Sequence, residues 1–165
     1  MAIDVFFDKL HAMMPSASVG AIGYREGELR KIERLYDISI AGDFAQFMLR
    51  AGRCDGGALG DDPIILYRPA WNVRTQILFQ VNFFTSLQEI GAFYFLKKPF
   101  VFSREAETQY YFLQTSRVGD ESVYHYDENN EQVRNTGKTF AEYLTDLLDY
   151  YPLGGVVCKG DLLDI

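Results

Sequence analysis

The feature that most constrains the fold is an amphipathic segment near the end of the chain, at residues 139–151. Thr139 and Glu142 have the spacing of a capping box, in which each side chain accepts a hydrogen bond from the other residue's backbone N–H. The apolar residues recur every three or four positions and share one helical face: Phe140, Tyr143, Leu144, Leu147, Leu148 and Tyr151. A helix with one apolar face must dock, so we expect it to return to a core built by earlier residues.

Three more helices are predicted in the first third of the chain. Residues 3–14 and 26–36 carry apolar side chains at helical spacing, and Pro15 ends the first of these segments. Asp43 is placed to cap a third helix, which should stop near Gly52. The chain therefore begins with helices.

The middle of the chain is rich in aromatic and β-branched residues. Short runs bounded by turn residues predict strands at 64–67, 100–103, 109–114 and 122–126, and residues 127–131 read as the turn that ends this meander. Residues 70–98 fit two interpretations, because the alternation from Ile77 to Phe83 suits a strand whereas Leu87 and Ile90 suit a helical turn. Residues 1–165 are thus predicted to form one α+β domain, in which an antiparallel sheet of short strands packs with N-terminal helices and one returning C-terminal helix.

Charge is distributed unevenly along the chain. The net charge is −7; residues 1–119 hold 13 acidic and 13 basic side chains, whereas residues 120–165 hold 10 acidic and 3 basic ones. Nucleic acid binding needs Lys and Arg to neutralise phosphates, so this composition argues against it. The acidic excess either attracts a basic protein partner or simply keeps the domain soluble.

The number of cysteines and the length of the apolar stretches indicate the cellular compartment of the protein. Cys54 and Cys158 are too few for a disulfide framework, and we expect two inert, reduced thiols. No basic region precedes an apolar run near the first residue, and no apolar stretch approaches the roughly 20 residues of a membrane span. These features predict a cytoplasmic protein without a membrane partner.

The sequence carries little that points to catalysis. His11 and His125 are the only histidines, and neither has the spacing of a metal site or an evident nucleophile beside it. We therefore expect no catalytic residue, no cofactor and no metal ion. The alternative is a metal-dependent hydrolase built on four carboxylates: Asp61, Asp62, Glu105 and Glu107. Asp61 and Asp62 equally suit the turn before Pro63.

The order of these segments resembles the SUKH superfamily, the Smi/Knr-like domains. The resemblance covers about residues 24–151: an acidic helix at 26–36, the Asp43-Phe44-Ala45-Gln46-Phe47 helix start, the Gly56-Gly57 turn, the strands, and the closing Thr139-Phe140-Ala141-Glu142-Tyr143-Leu144 helix. Two features depart from the family pattern. Ile40-Ala41-Gly42 replaces a Leu-Pro pair, and residues 104–109 replace a Gly/Asp-rich turn.

The resemblance implies a protein-binding module without catalytic machinery. Many bacterial members are immunity proteins that neutralise a cognate secreted toxin, often a nuclease, whereas fungal relatives act in cell-wall signalling, so a regulatory scaffold is the alternative. Tyr and Trp give rigid contact area at interfaces, although paired Tyr on strands are also common cross-strand partners. The resemblance and the acidic segment together predict these partner-binding residues: Asp61, Asp62, Tyr67, Trp71, Glu105, Glu107, Tyr110, Tyr111, Asp127, Glu128 and Glu131.

Overall fold

The computed structural model describes residues 1–59, 63–150 and 158–165. These residues form six α-helices and one four-stranded sheet, which confirms the α+β class. The helices are α1 Ile3–Met13, α2 Pro15–Gly20, α3 Glu26–Tyr36, α4 Gly42–Ala51, α5 Val73–Glu89 and α6 Phe140–Tyr150. The strands are β1 Pro99–Glu105, β2 Gln109–Gln114, β3 Ser122–Asp127 and β4 Gln132–Thr139. Asp61, Asp62 and Tyr151 lie outside the described residues.

The sheet is an antiparallel meander in the order β1-β2-β3-β4. β2 has the predicted bounds, β1 is three residues longer than the predicted strand, and β3 is one residue longer. The meander does not end at residues 127–131, because the chain turns there and β4 pairs with β3, for example His125 with Arg134. The strand predicted at 64–67 is wrong. Only Ile64 forms a bridge, to Ser103, and Ile65–Tyr67 is a 3₁₀ turn.

One face of the sheet packs against α1, α3, α4 and α6, and we call this the helical core. Phe140 lies near its centre, with its ring centroid 5.4 Å from that of Phe44, 5.6 Å from that of Phe47 and 5.0 Å from that of Phe102. Edge-to-face pairs of this kind add to the stabilisation from buried area. The returning C-terminal helix therefore docks as the sequence predicts.

The starts of α6 and α1 are fixed by side-chain caps. The predicted capping box is present: Glu142 Oε2 accepts from Thr139 N at 3.0 Å, and Thr139 Oγ1 accepts from Glu142 N at 3.3 Å. Asp43 does not cap its own helix, which begins one residue earlier. Its buried carboxylate accepts from the backbone N–H of Ile3 at 3.2 Å, and so ties the start of α1 to α4.

The opposite face of the sheet packs against α5 and the 3₁₀ turn Phe93–Phe95, and we call this the aromatic core. Phe83 of α5 contacts Phe112 and Tyr126, at ring distances of 5.0 and 5.9 Å. Gln80 donates to Val101 O and accepts from Val101 N, which fastens the helix to β1. Residues 73–89 are thus helical, which decides between the two interpretations of this region.

The end of the chain, residues 158–165, crosses the helical core as an extended segment that we call the C-terminal strap. Cys158 forms a disulfide with Cys54, so the expectation of two free thiols is wrong. Arg53 binds the Asp161 carboxylate at 2.8 Å, Leu162 is fully buried, and Gly160 N donates to Tyr67 O at 3.2 Å. The strap thereby joins residues that are far apart in sequence.

Candidate functional site

Trp71 lies in the loop before α5, partly buried, with two guanidinium groups close to its ring. Its ring centroid is 5.1 Å from the Arg68 guanidinium, 5.6 Å from the Arg104 guanidinium and 5.3 Å from the Phe79 ring. Phe79 projects from α5 toward β2, where it meets Tyr110 at 5.8 Å. Trp71 therefore begins a continuous row of aromatic rings that runs across the sheet.

Tyr110 continues this row and brings it to the acidic end of the sheet. Its ring is 5.5 Å from that of Tyr126, and its hydroxyl donates to Glu128 Oε2 at 2.7 Å. Burial, together with the Glu128 carboxylate, raises the pKa of Tyr110 to about 12. The hydroxyl therefore stays protonated at neutral pH and remains a donor to this carboxylate.

The Tyr126 end of the row leads into an acidic turn between β3 and β4. Burial raises the pKa of Tyr126, and the charges of Glu128, Glu131, Glu89 and Asp127 raise it further. Glu89 is the last residue of α5 and was not predicted as a site residue, because its effect on Tyr126 depends on how α5 docks. Tyr126 itself is buried and supports Tyr110 from below. We call Trp71, Tyr110, Glu128 and Glu131 the acidic aromatic surface.

Asp127 has a structural task within this region. Its carboxylate accepts from Asn129 N at 3.0 Å, from Asn130 Nδ2 at 2.7 Å and from Gln109 Nε2 at 3.1 Å. These hydrogen bonds, chiefly the side-chain ones from Asn130 and Gln109, lower the pKa of Asp127. Asp127 thus organises the β3–β4 turn that presents Glu128 and Glu131.

The carboxylates of Glu105 and Glu107 lie on opposite sides of the sheet. Glu107 accepts from Arg104 Nη2 at 2.6 Å and lies 4.0 Å from Arg68 Nη1, so two arginines neutralise it beside Trp71. Glu105 instead lines a cleft on the helical side of the sheet. The two carboxylates do not converge on one point.

The cleft on the helical side holds Tyr111. This cleft has a volume of about 560 Å³ and is lined by Glu105, Tyr111, Arg134, Thr136, Lys138, Tyr143, Asp146, Leu147 and Tyr150. The Tyr111 ring stacks on His125 at 4.8 Å and contacts Tyr143 at 4.9 Å. Tyr111 and Glu105 are therefore separated by the sheet from Trp71 and Tyr110, and the predicted residues divide into two groups.

Tyr67 belongs to neither group. It is 1% exposed, and its hydroxyl donates to Asp55 Oδ2 at 2.9 Å. Asp55 also accepts from the backbone N–H groups of Gly57, Ala58 and Leu59, at 2.8–3.1 Å. A side chain this buried offers no surface to a partner, so Tyr67 is a structural residue in this conformation and the prediction of a contact residue is corrected.

One group of side chains has ligand spacing for a metal ion within the described residues: Cys54, Asp55 and Cys158. The two sulfurs are joined in the disulfide, and the Asp55 carboxylate already accepts four hydrogen bonds. Burial raises the pKa of Asp55 despite these donors. The group therefore serves to close the loop after α4.

The fold and the surface define an α+β protein whose sheet presents aromatic side chains beside carboxylates. The family model SUKH_6, described as SMI1-KNR4 cell-wall, matches residues 26–144, which is more than half of the chain. The chain belongs to this family, within the SUKH superfamily that the sequence resembles. Comparisons with curated proteins and with solved structures found no match. Among the described residues, no helix is both long and apolar enough to cross a membrane.

Proposed function

We propose that this chain is a non-enzymatic protein-binding module that acts as an immunity protein, binding and neutralising a secreted bacterial toxin with a basic surface. The observation that carries the proposal is the acidic aromatic surface, where Tyr110 belongs to the row that starts at Trp71 and its hydroxyl binds Glu128, in the same turn as Glu131. Membership of the SUKH superfamily supports it. A nuclease is a fitting toxin class, because enzymes that bind nucleic acid carry basic surfaces.

The two kinds of side chain have different tasks in this proposal. Carboxylates at the rim of an interface steer a basic partner and raise the association rate. Partly buried aromatic rings supply contact area with little conformational freedom to lose, and so slow dissociation. Blocking the toxin's active site in this way requires no chemistry from this chain.

The first experiment tests for the partner itself. A neighbouring gene for a large secreted protein with a variable C-terminal domain would supply the candidate toxin. We expect co-expression of this chain to protect cells from that domain. Cells that die despite soluble, folded protein would argue against the immunity role.

The second experiment tests the carboxylates by stopped-flow kinetics at two salt concentrations. Replacing Glu128 and Glu131 with Gln should slow association and flatten its salt dependence, with dissociation little changed. Asp127 stays, because its hydrogen bonds hold the turn. The matched control is Asp8→Asn with Glu26→Gln, which removes the same charge from exposed positions on α1 and α3. Equal slowing in both variants would mean that net charge, and not this surface, governs association.

The third experiment tests the aromatic anchor. Trp71→Ala should speed dissociation, at a cost of about 2 kcal/mol in binding free energy if Trp71 is a hot spot. Trp71 also packs against Phe79, so a melting curve must show whether the fold survives. Phe93→Ala removes an exposed ring outside this surface and serves as the control. Binding and stability that fall together in the Trp71 variant would identify it as a packing residue only.

A second candidate is a regulatory scaffold, favoured by the cell-wall description of the matching family. It would use the same surface with a different partner. A pull-down with intact protein and with the Glu128→Gln, Glu131→Gln variant separates the two, since a toxin domain and components of a cell-wall complex differ in identity.

A metal-dependent hydrolase is less well supported. Among the described carboxylates, Glu107 is bound by arginines and Glu105 lines the other side of the sheet. Ca²⁺ or Mg²⁺ binding at such a site would raise the melting temperature. We expect no such rise.

We place the protein in the cytoplasm, where an immunity protein meets an incoming toxin. The Cys54–Cys158 disulfide makes this placement a strict test, because disulfides are rare in reducing compartments. Fractionation of cells should recover the protein in the cytoplasmic fraction. Recovery from the periplasm or the medium would overturn this placement.

A further inference from the structure

Helix α5 carries apolar side chains on both of its faces. Phe83 and Leu87 are buried in the aromatic core. On the opposite side, Leu78, Val81 and Phe84 are 52%, 54% and 37% exposed. A group of exposed apolar side chains on one face often marks an interaction surface. The outer face of α5 is therefore a candidate contact surface.

The exposed side chains are arranged symmetrically along the helix. Leu78 and Phe84 lie three residues before and three residues after Val81. At about 100° per residue, all three fall within roughly 60° of the line through Val81. A two-fold axis at Val81 therefore brings apolar side chains to matching heights on two antiparallel copies of the helix.

The two charged residues of α5 lie near its opposite ends and carry opposite charges. Arg74 in the first turn and Glu89 in the last are the only charged residues of the helix. Within the described residues neither has an ion pair. They lie seven residues before and eight after Val81, so antiparallel pairing brings each Arg74 opposite a Glu89. The face between them is uncharged, which matters because two chains of net charge −7 repel each other elsewhere.

We propose that the outer face of α5 is a homodimer interface, in which two copies pack antiparallel about a two-fold axis at Val81. Val81 then meets Val81 of the partner subunit, Leu78 and Phe84 lie on either flank of this contact, and Arg74 pairs with Glu89 of the partner subunit. A basic toxin is a poorer occupant, since this face offers one carboxylate and one guanidinium. The inference does not depend on the proposed function.

The expected strength follows from the size of the face. A helix of 17 residues is about 25 Å long and about 10 Å wide, so its footprint is well below the roughly 800 Å² that each partner contributes to a standard interface. We therefore expect a dimer that dissociates on dilution through the micromolar range.

Sedimentation velocity of the full chain, from about 1 μM to about 200 μM, tests the proposal. The intact protein should shift from monomer to dimer over this range. Val81→Asp should weaken dimerisation at least about 100-fold, because two carboxylates would meet at the axis. The matched control is Val5→Asp, which alters a helical valine that is 60% exposed on α1 and should leave the dimer unchanged. A melting curve checks that both variants remain folded.

Charge reversal tests the antiparallel arrangement. Arg74→Glu alone and Glu89→Arg alone should each weaken the dimer about three- to tenfold, since each puts like charges opposite one another twice per dimer. The double variant should recover the original affinity. A chain that stays monomeric at every concentration, or a dimer that survives Val81→Asp, would overturn the interface. Failure of the double variant to recover would overturn the antiparallel pairing.

Discussion

The two faces of the sheet are covered to very different degrees. Among the described residues, the helical core contains 29 buried hydrophobic side chains and is closed by the C-terminal strap. The aromatic core contains seven, and α5 is the one α-helix packed over it in the described chain. The helical core has the packing that determines the fold. The aromatic core leaves tyrosine edges, a tryptophan and an apolar helix face in reach of other molecules.

Side chains can change at a lower cost in stability on the face that carries the aromatic core. Side chains in a dense core are constrained by many neighbours, so a change there costs stability. Tyr110 and Trp71 have solvent on one side and can change partners without opening the fold. One face therefore maintains the domain, and the other is the face on which we propose that partners bind.

The largest expected effect compares one phenylalanine from each core. Phe140→Ala should lower the free energy of unfolding by about 4 kcal/mol, and Phe83→Ala by about 3 kcal/mol. Both side chains are almost fully buried, but α5 is open to solvent on its outer side and can move into the cavity that Phe83 leaves. Urea denaturation measures both values.

The same pair of variants can contradict the view that the aromatic core is held less rigidly than the helical core. A loss for Phe83→Ala as large as that for Phe140→Ala would mean that α5 is held as rigidly as the helices of the other face. The denaturant slopes should stay equal, because each variant is expected to unfold in one transition.

Features fixed by neighbouring residues could be predicted from the sequence. The capping box of α6, the bounds of β2 and the bounds of α3 depend on local spacing, and all are present. α5 remained ambiguous because its apolar residues occur on both faces, which hides the helical period. β4 was missed because it is an exposed edge strand without alternating apolar residues, and it forms by pairing with β3.

Features fixed by distant contacts could not be predicted. The disulfide joins residues that are 104 positions apart, and no local pattern marks them as neighbours. Tyr67 and Trp71 are equally aromatic in the sequence, yet only the packing shows that Tyr67 is buried and Trp71 is partly open. Glu128 and Glu131 of the candidate surface follow from the acidic segment, whereas the effect of Glu89 on Tyr126 depends on the packing of α5.

Reducing the disulfide should have the next largest effect. A crosslink over about 100 residues restricts the unfolded chain, and we expect reduction and alkylation to lower the free energy of unfolding by about 3 kcal/mol. Hydrogen exchange should increase first in the C-terminal strap and in residues 67–73, which bond to it. Exchange that increases first in the β-strands would show that the strap does not act on the helical core alone.

A smaller effect is expected where the strap crosses the 3₁₀ turn. A Cβ atom on residue 160 would lie within 2.1 Å of Arg68 O, so Gly160→Ala must lift the strap and should cost about 2 kcal/mol. Gly27→Ala in α3 meets no atom within 4 Å and should stabilise the protein by about 0.5–1 kcal/mol. Thermal unfolding compares them. Equal melting temperatures would indicate that the strap is held loosely.

The smallest expected effect is a pH dependence confined to the helical side of the sheet. On the aromatic side, Tyr110 has a pKa of about 12 and does not change charge near neutral pH. His125 faces the helical side, where its Nε2 bonds to Gln109 Oε1 at 2.6 Å and its Nδ1 accepts from Arg134 Nε at 3.1 Å. Burial, then the Arg134 charge, lowers the pKa of His125, with Asp127 acting weakly in the other direction.

The sign of the effect follows from proton linkage. Below the ordinary histidine pKa of about 6.5 the unfolded chain binds a proton that the folded chain resists, so stability is lost as the pH falls through this range. His125→Asn should remove this part of the pH slope between about pH 7 and pH 5, and Arg134→Gln should reduce it because the repelling charge is gone. Proton NMR titration gives the pKa directly. A His125 pKa at or above 6.5 in the folded protein would contradict the prediction and would mean that water reaches this side of the sheet.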